Sequence, residues 1–270
     1  MPQKALGFAC QQEYGLLQAI IEDPDDDMPR LIYADWLEER GDARGEFIRV
    51  QCSLARLSGD DPEISSLRQR EQELHDEYAD TWRRRLPPPL RSQRFVRGFV
   101  ETAQLDFESF LRYHDVISQT SPIRTLNLSP PDDVFATNVL PYATQIGRCC
   151  FPKSLRKLKL HGWYLGDSEL TVLLTGENFP DHLETLSLRR NVIHDRGAAA
   201  LANCSRLRSL RVLDLVGNQI TWLGAEAMLR SKSLAGVRSF CLDRNLLSMR
   251  EINEIRERFG RVDFGISGMI

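Results

Sequence analysis

Between Leu183 and Leu201 the chain reads LETLSLRRNVIHDRGAAAL, placing Leu183, Leu186, Leu188, Asn191, Ile193, Gly197 and Leu201 at fixed intervals. The same order returns at Leu210, Leu213, Leu215, Asn218, Ile220, Gly224 and Met228. A shortened copy follows at Val237, Phe240, Leu242, Asn245 and Leu247, and a worn one precedes at Leu155, Leu158, Leu160, Trp163 and Leu165. The copies start at 155, 183, 210 and 237, steps of 28, 27 and 27 residues. Such regularity marks a repeat array. Within each copy the L-x-L pair has period two, which predicts a short strand with both leucines on the core face. The Asn falls where the chain leaves the strand, where its amide can serve bending backbone. Arg196 to Asn203 and Ala225 to Arg230 are good helix formers, so each copy reads strand, turn, helix, turn.

The L-x-x-L-x-L-x-x-N string resembles a leucine-rich repeat, and its length with one helix per unit resembles the ribonuclease-inhibitor-like class. That resemblance implies an α/β fold: a short solenoid of parallel strands backed by helices. It does not imply a ribonuclease as target. Met249 to Phe259 (MREINEIRERF) predicts a charged helix with Ile252, Ile255 and Phe259 on one face, suited to a C-terminal cap.

Upstream the period changes. Glu13 to Ile21 predicts an amphipathic helix, and Arg30 to Arg40 a second, capped by Asp27 and ended by Gly41. Asp42 opens a third, and Ile64, Leu67, Leu74, Tyr78 and Trp82 share one stripe of a long polar fourth. Pro87-Pro88-Pro89 stiffens a boundary. The run DPDDDMPRLIYADWLEERGDARGEFIRVQCSLARL, Asp23 to Leu57, resembles the repeat-companion domain, a small helical module at the N-terminus of bacterial leucine-rich repeat proteins. Its D-P-x-D-D, Y-A-D-W-L-E-E-x-G-D and E-F-I-R-x-Q blocks carry that resemblance, which implies an architecture and a bacterial source but no activity. Gly98-Phe99-Val100 and Ile123 to Leu128 read as strands of degenerate early repeats with a helix at Phe107 to Gln119 between them. Pro130 to Phe151 reads as an irregular repeat with an inserted loop. The expected domains are a helical module at 1–86, a linker with degenerate repeats at 87–154, regular repeats at 155–248 and a cap at 249–270.

Charge supports the division. Residues 1–90 hold 11 Lys and Arg against 19 Asp and Glu, whereas the remainder is net +5. No apolar run is long enough for a transmembrane helix. The N-terminal MPQKALGFACQQEYG lacks the apolar core of a signal peptide, and six cysteines without C-x-x-C spacing suit a reducing compartment. A cytoplasmic location is expected.

Candidate chemistry is sparse. Asp23, Asp25 and Asp27 have calcium-loop spacing, but Met28 stands where the loop needs Gly and Ala34 where it needs Glu. A solvated turn is the better reading. Gly147 to Ser154 (GRCCFPKS) approaches a phosphate loop, yet Pro152 lacks the N–H and a strand follows it. Cys241-Leu242-Asp243 resembles the C-x-D of bacterial leucine-rich-repeat ubiquitin ligases, but sits inside a repeat strand, with Cys241 expected exposed. The histidines (His75, His114, His161, His182, His194) have no ligand spacing, and no nucleophile elbow occurs. No catalytic residue, metal or cofactor is expected.

Pleat alternation defines the remaining candidate. With the leucines inward, the opposite, concave face presents Lys157, Lys159 and His161, then Thr185, Ser187 and Arg189. Val212, Asp214 and Val216 follow, then Ser239, Cys241 and Asp243, with Thr125, Asn127 and Ser129 upstream. A protein partner on that face is the favoured function. One alternative is ligand binding or catalysis in the helical module around Asp35, Trp36, Glu38 and Glu39, with Asp35 able to pair with Arg30 or Arg49. The other is nucleic-acid binding by Lys153, Arg156, Lys157 and Lys159, which the thin basic stripe makes a poor expectation.

Overall fold

The computed structural model describes residues 11–132 and 139–259; the signal-peptide reading falls chiefly on residues 1–10, outside the described residues. The chain forms two compact units. One holds the described residues through Ala103 with Asp115–Arg124 and Pro152–Ser154, and the other holds Gln104–His114, Thr125–Phe151 and the described residues from Leu155 on.

The first unit begins with α1 (Gln11–Glu22), α2 (Met28–Glu38), α3 (Arg44–Arg56) and α4 (Ile64–Arg84). The apolar stripes of α1, α2 and α3 bury Leu17, Ile20, Tyr33, Trp36, Leu37 and Ile48 in one core, which Phe99 completes. Phe99 comes from a hairpin, not from a repeat. β1 (Phe95–Val96) and β2 (Phe99–Val100) pair antiparallel, correcting the reading of 98–100 as an early repeat strand. Arg97 and Gly98 take φ of +47° and +82°, the left-handed pair a two-residue hairpin needs. A Cβ on Gly98 would also lie 2.2 Å from Ile48, so a side chain is barred there twice over.

The turn before α2 is held by cations. Arg30 is fully buried, and its Nη2 donates to Glu101 Oε1 at 2.8 Å and to the Pro24 carbonyl at 3.0 Å. Arg97 Nη2 donates to the same two oxygens, at 2.8 Å each. Asp27 does not cap α2 as expected. Its carboxylate accepts from Arg97 Nη1 and Arg56 Nε, each at 3.0 Å, because charge-assisted bonds are roughly twice as strong as neutral ones. Asp25 pairs with Arg124 at 2.5 Å. The carboxylates with calcium-loop spacing are thus largely committed to arginines.

The sheet has six strands in chain order: β3 (Thr102–Asp106), β4 (Thr125–Ser129), β5 (Lys157–Lys159), β6 (Thr185–Ser187), β7 (Val212–Asp214) and β8 (Ser239–Cys241). Every pairing from β4 to β8 is parallel, with Leu126, Leu158, Leu186, Leu213 and Phe240 in one register row. The intervening helices are α5 (Phe107–Thr120), α6 (Leu140–Arg148), α7 (Asp167–Thr175), α8 (Asp195–Asn203) and α9 (Trp222–Leu229), with α10 (Met249–Phe259) last. α6 falls within the segment expected to be an irregular repeat with an inserted loop, and Leu140 to Arg148 is long enough for a repeat helix. In α10, Ile255 is fully buried; the side chain of Phe259 lies outside the described residues.

Two polar devices set the repeat phase. Asn191 Nδ2 donates to the carbonyls of Leu160 and Leu188, both at 2.9 Å, and its Oδ1 accepts from Leu165 N at 3.0 Å. Asn218 serves Leu188, Leu215 and Ile193 in the same way, and Asn245 serves Leu215, Leu242 and Ile220. Each amide therefore ties its own turn to the preceding one. Trp163 keeps half of this role, its indole N–H donating to Leu128 O at 2.8 Å.

The second device is acidic. Asp167 Oδ1 accepts from His194 N and Gly197 N, capping α8, and Asp195 Oδ1 accepts from Thr221 N and Gly224 N, capping α9. A Cβ on Gly224 would lie 2.5 Å from Asp195 Oδ1, and one on Gly197 2.6 Å from Asp167 Oδ1. The repeated Gly is there because the preceding repeat's carboxylate occupies its side-chain space. The flanking helices α7 and α10 cap themselves, through Glu169 on Gly166 N and Glu251 on Ser248 N.

Candidate functional site

The sheet face opposite the leucines gathers the candidate side chains in three rows. Register aligns Thr125, Lys157, Thr185, Val212 and Ser239 in one, and Asn127, Lys159, Ser187, Asp214 and Cys241 in the next. The backbone ladder continues beyond the strands proper. Gly162 N donates to Arg189 O, Arg190 N to Val216 O and Gly217 N to Asp243 O, so His161, Arg189, Val216 and Asp243 form the third row.

The centre of this face is hydrogen-bonded across three strands. Ser187 Oγ lies 3.0 Å from Asp214 Oδ2 and 2.7 Å from His161 Nε2. An ionised carboxylate only accepts, so the serine proton points to Asp214 and Nε2–H donates to Ser187. Arg189 Nε lies 3.6 Å from the same Asp214 oxygen, and Val216 N donates to Asp214 Oδ1 at 3.2 Å. The imidazole is a donor to the serine and not its base, so this line is not the nucleophile arrangement of a hydrolase triad. Burial holds His161 below its ordinary pKa, with Lys159, Arg189 and Arg190 adding to that and Asp214 opposing it.

Exposure refines the expected site. Lys157 is exposed, and Lys159, His161, Thr185, Arg189, Val212, Asp214, Ser239, Cys241 and Asp243 are half-buried. Ser187 and Val216 are buried, at 4% and 8%: Ser187 lies under its histidine and aspartate partners, so neither is an open contact residue. Cys241, expected exposed, is half-buried with Ser239 Oγ 3.7 Å from its sulfur. Lys157 and Lys159 make no hydrogen bond or ion pair among the described residues.

One feature of the rim has no counterpart in the candidate set. The residue before each repeat Asn, or before Trp163, is left-handed: Gly162, Arg190, Gly217 and Arg244 have φ of +68°, +54°, +73° and +57°. Two repeats fill this position with glycine, and two place an exposed arginine there against a local steric cost of about 1 kcal/mol. The alternation was visible in the sequence, but its meaning needed the backbone angle.

The family model described as Leucine Rich repeat matches residues 181–202 and 206–229. These stretches are leucine-rich repeats. The matched segments are β6 with α8 and β7 with α9, so the leucine-rich repeats supply Thr185, Ser187, Arg189, Val212, Asp214 and Val216 of the face. Comparison with curated proteins gives no match. No helix among the described residues is long and apolar enough to cross a membrane.

The alternative sites are placed otherwise. Asp35 pairs with Arg49 and not with Arg30, and Glu38 shares Arg49 at 3.0 Å. Glu39 lies 3.7 Å from Arg40, whose guanidinium sits 4.0 Å above the buried Trp36 ring. A cavity of about 570 Å³ adjoins Trp36, lined also by Glu13, Arg40, Asp42, Tyr78 and Trp82, but Asp42 is held by Arg85 at 2.7 Å. The cluster's carboxylates are therefore paired. Of the basic segment, Lys153 lies 3.6 Å from Glu22, and Arg156 Nη1 donates to the Leu155 carbonyl at 3.2 Å.

Proposed function

We propose that the chain is a non-enzymatic interaction protein, a short leucine-rich repeat solenoid that binds a protein partner through the face carrying Lys159, His161, Arg189 and Asp214. The observation that carries this reading is the preformed line His161–Ser187–Asp214–Arg189. Side chains already held by one another lose little rotamer freedom when a partner arrives, which is what preorganised contact surfaces need. Leucine-rich repeats generally mediate protein–protein interaction, and Lys157 and Lys159 offer uncommitted charges beside the line. Arg190 and Arg244 fit the same reading, since a strained position is kept where its side chain has a use. On this reading the N-terminal unit is a bacterial repeat-companion module with a supporting role, the last helix is the cap, and the protein works in the cytoplasm.

The test is capture from native lysate with wild type and with Lys159→Glu/Arg189→Glu/Asp214→Arg. The swap keeps residues 189 and 214 oppositely charged, and circular dichroism should find the variant folded. Wild type is expected to retain a specific protein that the swapped variant loses, while a control reversed on the helix side, Arg230→Glu/Lys232→Glu, keeps it. Retention of the same protein by the swapped variant would place binding elsewhere and overturn the proposal.

A further inference from the structure

The first unit has a trough along α3, α4 and the stretch that leads into β1. Two cavities of about 350 and 320 Å³ make it up, and they share Gln51, Glu71, Arg94 and Phe95. One end has an apolar floor of Leu54, Leu57, Ile64 and Val96, and Val96 is 38% exposed although it is a strand residue. The junction is rigid: Gln51 Oε1 accepts from Gly98 N and its Nε2 donates to Glu71 Oε1, both at 2.7 Å. Glu71 is thereby engaged.

The rim carries the decisive observation. In this acidic part of the chain the exposed Arg40, Arg56, Arg70 and Arg85 are answered by Glu39, Asp27, Glu46 and Asp42, and the half-buried Arg49 by Glu38. Arg84 and Arg91 bond to Thr81 and to backbone carbonyls. Arg68 and Arg94 are exposed and have neither an ion pair nor a hydrogen bond among the described residues. Both line the trough. Uncommitted cations are scarce where carboxylates are in excess, and here two of them border the same apolar floor.

We propose that this trough docks an acidic, amphipathic segment of a protein partner, with its apolar side chains on Leu54, Leu57, Ile64 and Val96 and its carboxylates on Arg68 and Arg94. A groove with an apolar floor and a charged rim is the form that takes such a segment. A nucleic acid would use the arginines and leave the leucines unused. The site is separate from the repeat face and stands independently of the function proposed for it.

Anilinonaphthalene sulfonate, an apolar ring system bearing one anionic group, is a direct probe of that chemistry. The full chain is expected to bind it saturably, with affinity falling as NaCl is raised. Arg68→Glu/Arg94→Glu should weaken binding about tenfold, two reversed contacts at the strength of exposed charge pairs. Val96→Asp should weaken it comparably through the floor, and circular dichroism should find both variants folded. A peptide of about fourteen residues with Leu and Glu at helical spacing should displace the dye, and its Leu/Lys counterpart should not. Unchanged dye binding in the double-arginine variant, or equal displacement by the lysine peptide, overturns the proposal. Sedimentation showing a dimer that dissolves on Arg68→Glu/Arg94→Glu overturns it also, since the occupant is then a second copy of the chain.

Discussion

Arg30 in the first unit and Asn218 in the second are both buried polar side chains, 0% and 5% exposed, and their surroundings differ in kind. Arg30 depends on one partner far along the chain, Glu101, and on a nearby Pro24 carbonyl shared with Arg97. Its Nε and Nη1 have no hydrogen-bond partner among the described residues. Asn218 is neutral, fully engaged and repeated, with Asn191 and Asn245 doing the same work one unit away on either side. A buried ion pair is sensitive to the loss of either partner, because the survivor is an uncompensated charge. A ladder of amides spreads its risk over separate, equivalent rungs.

The sharpest way to break this comparison is Glu101→Gln, which leaves Arg30 and Arg97 facing a neutral amide. The expected loss is about 3–5 kcal/mol, read as a fall in the urea midpoint of the full chain, with loss of the Trp36 and Trp82 fluorescence environment at lower urea than the bulk of the helical signal. Asn218→Ala comes next. It strands Ile193 N and leaves the Leu188 and Leu215 carbonyls with Asn191 and Asn245 alone as amide donors, with an expected loss of about 1–3 kcal/mol in the same titration. Should Asn218→Ala prove the more damaging, the repeats are less distributed than the bonding pattern implies.

Legibility in the sequence follows the same line. Repetition made Leu158, Leu186 and Leu213 readable as one register row, and Asn191 and Asn218 as its turn anchors, because one arrangement was written several times. Trp163 looked like a lost Asn and keeps its donor, which no letter-by-letter match reveals. The Asp167 and Asp195 caps were hidden because each side chain serves the next repeat's helix, so the spacing that matters runs between units. In the helical unit nothing repeats. Helix positions followed from apolar period and from Gly41, but Arg30 choosing Glu101 over Asp35 is a contact across 71 positions with no local signature. The hairpin at Arg97-Gly98 was missed because V-R-G-F lacks the usual Asn-Gly turn signal. On the candidate face, alternation grouped the side chains opposite the leucines, but it could not foresee that His161 and Asp214 cover Ser187.

A smaller effect, of opposite sign, separates stability from use at the repeat rim. Arg190→Gly and Arg244→Gly place at 190 and 244 the residue their sister repeats already hold at 162 and 217. Each is expected to leave stability unchanged or raise it by about 0.5–1 kcal/mol in thermal melts, as relief of the left-handed strain slightly outweighs glycine's added chain entropy. The same substitutions should weaken capture of the partner. A destabilisation on removing either arginine would mean the side chain is structural, and its bearing on the face would lapse.

The smallest effect concerns His161. Its folded-state pKa lies below the ordinary imidazole value, first through burial and then through Lys159, Arg189 and Arg190, while Asp214 works against them. The unfolded chain therefore takes up the proton more readily than the folded one. The stability tied to a neutral His161 is complete above about pH 6.5 and is lost as pH falls through the lower folded value. Comparing urea midpoints from about pH 7.5 to about pH 5, wild type should lose more than His161→Gln, which retains a donor for Ser187 but has no proton to gain. A smaller loss in wild type would mean that Asp214 outweighs the neighbouring cations and that the face holds an imidazolium. The line His161–Ser187–Asp214 would then be charged at its outer end, and a partner would meet a cation there in place of a neutral donor.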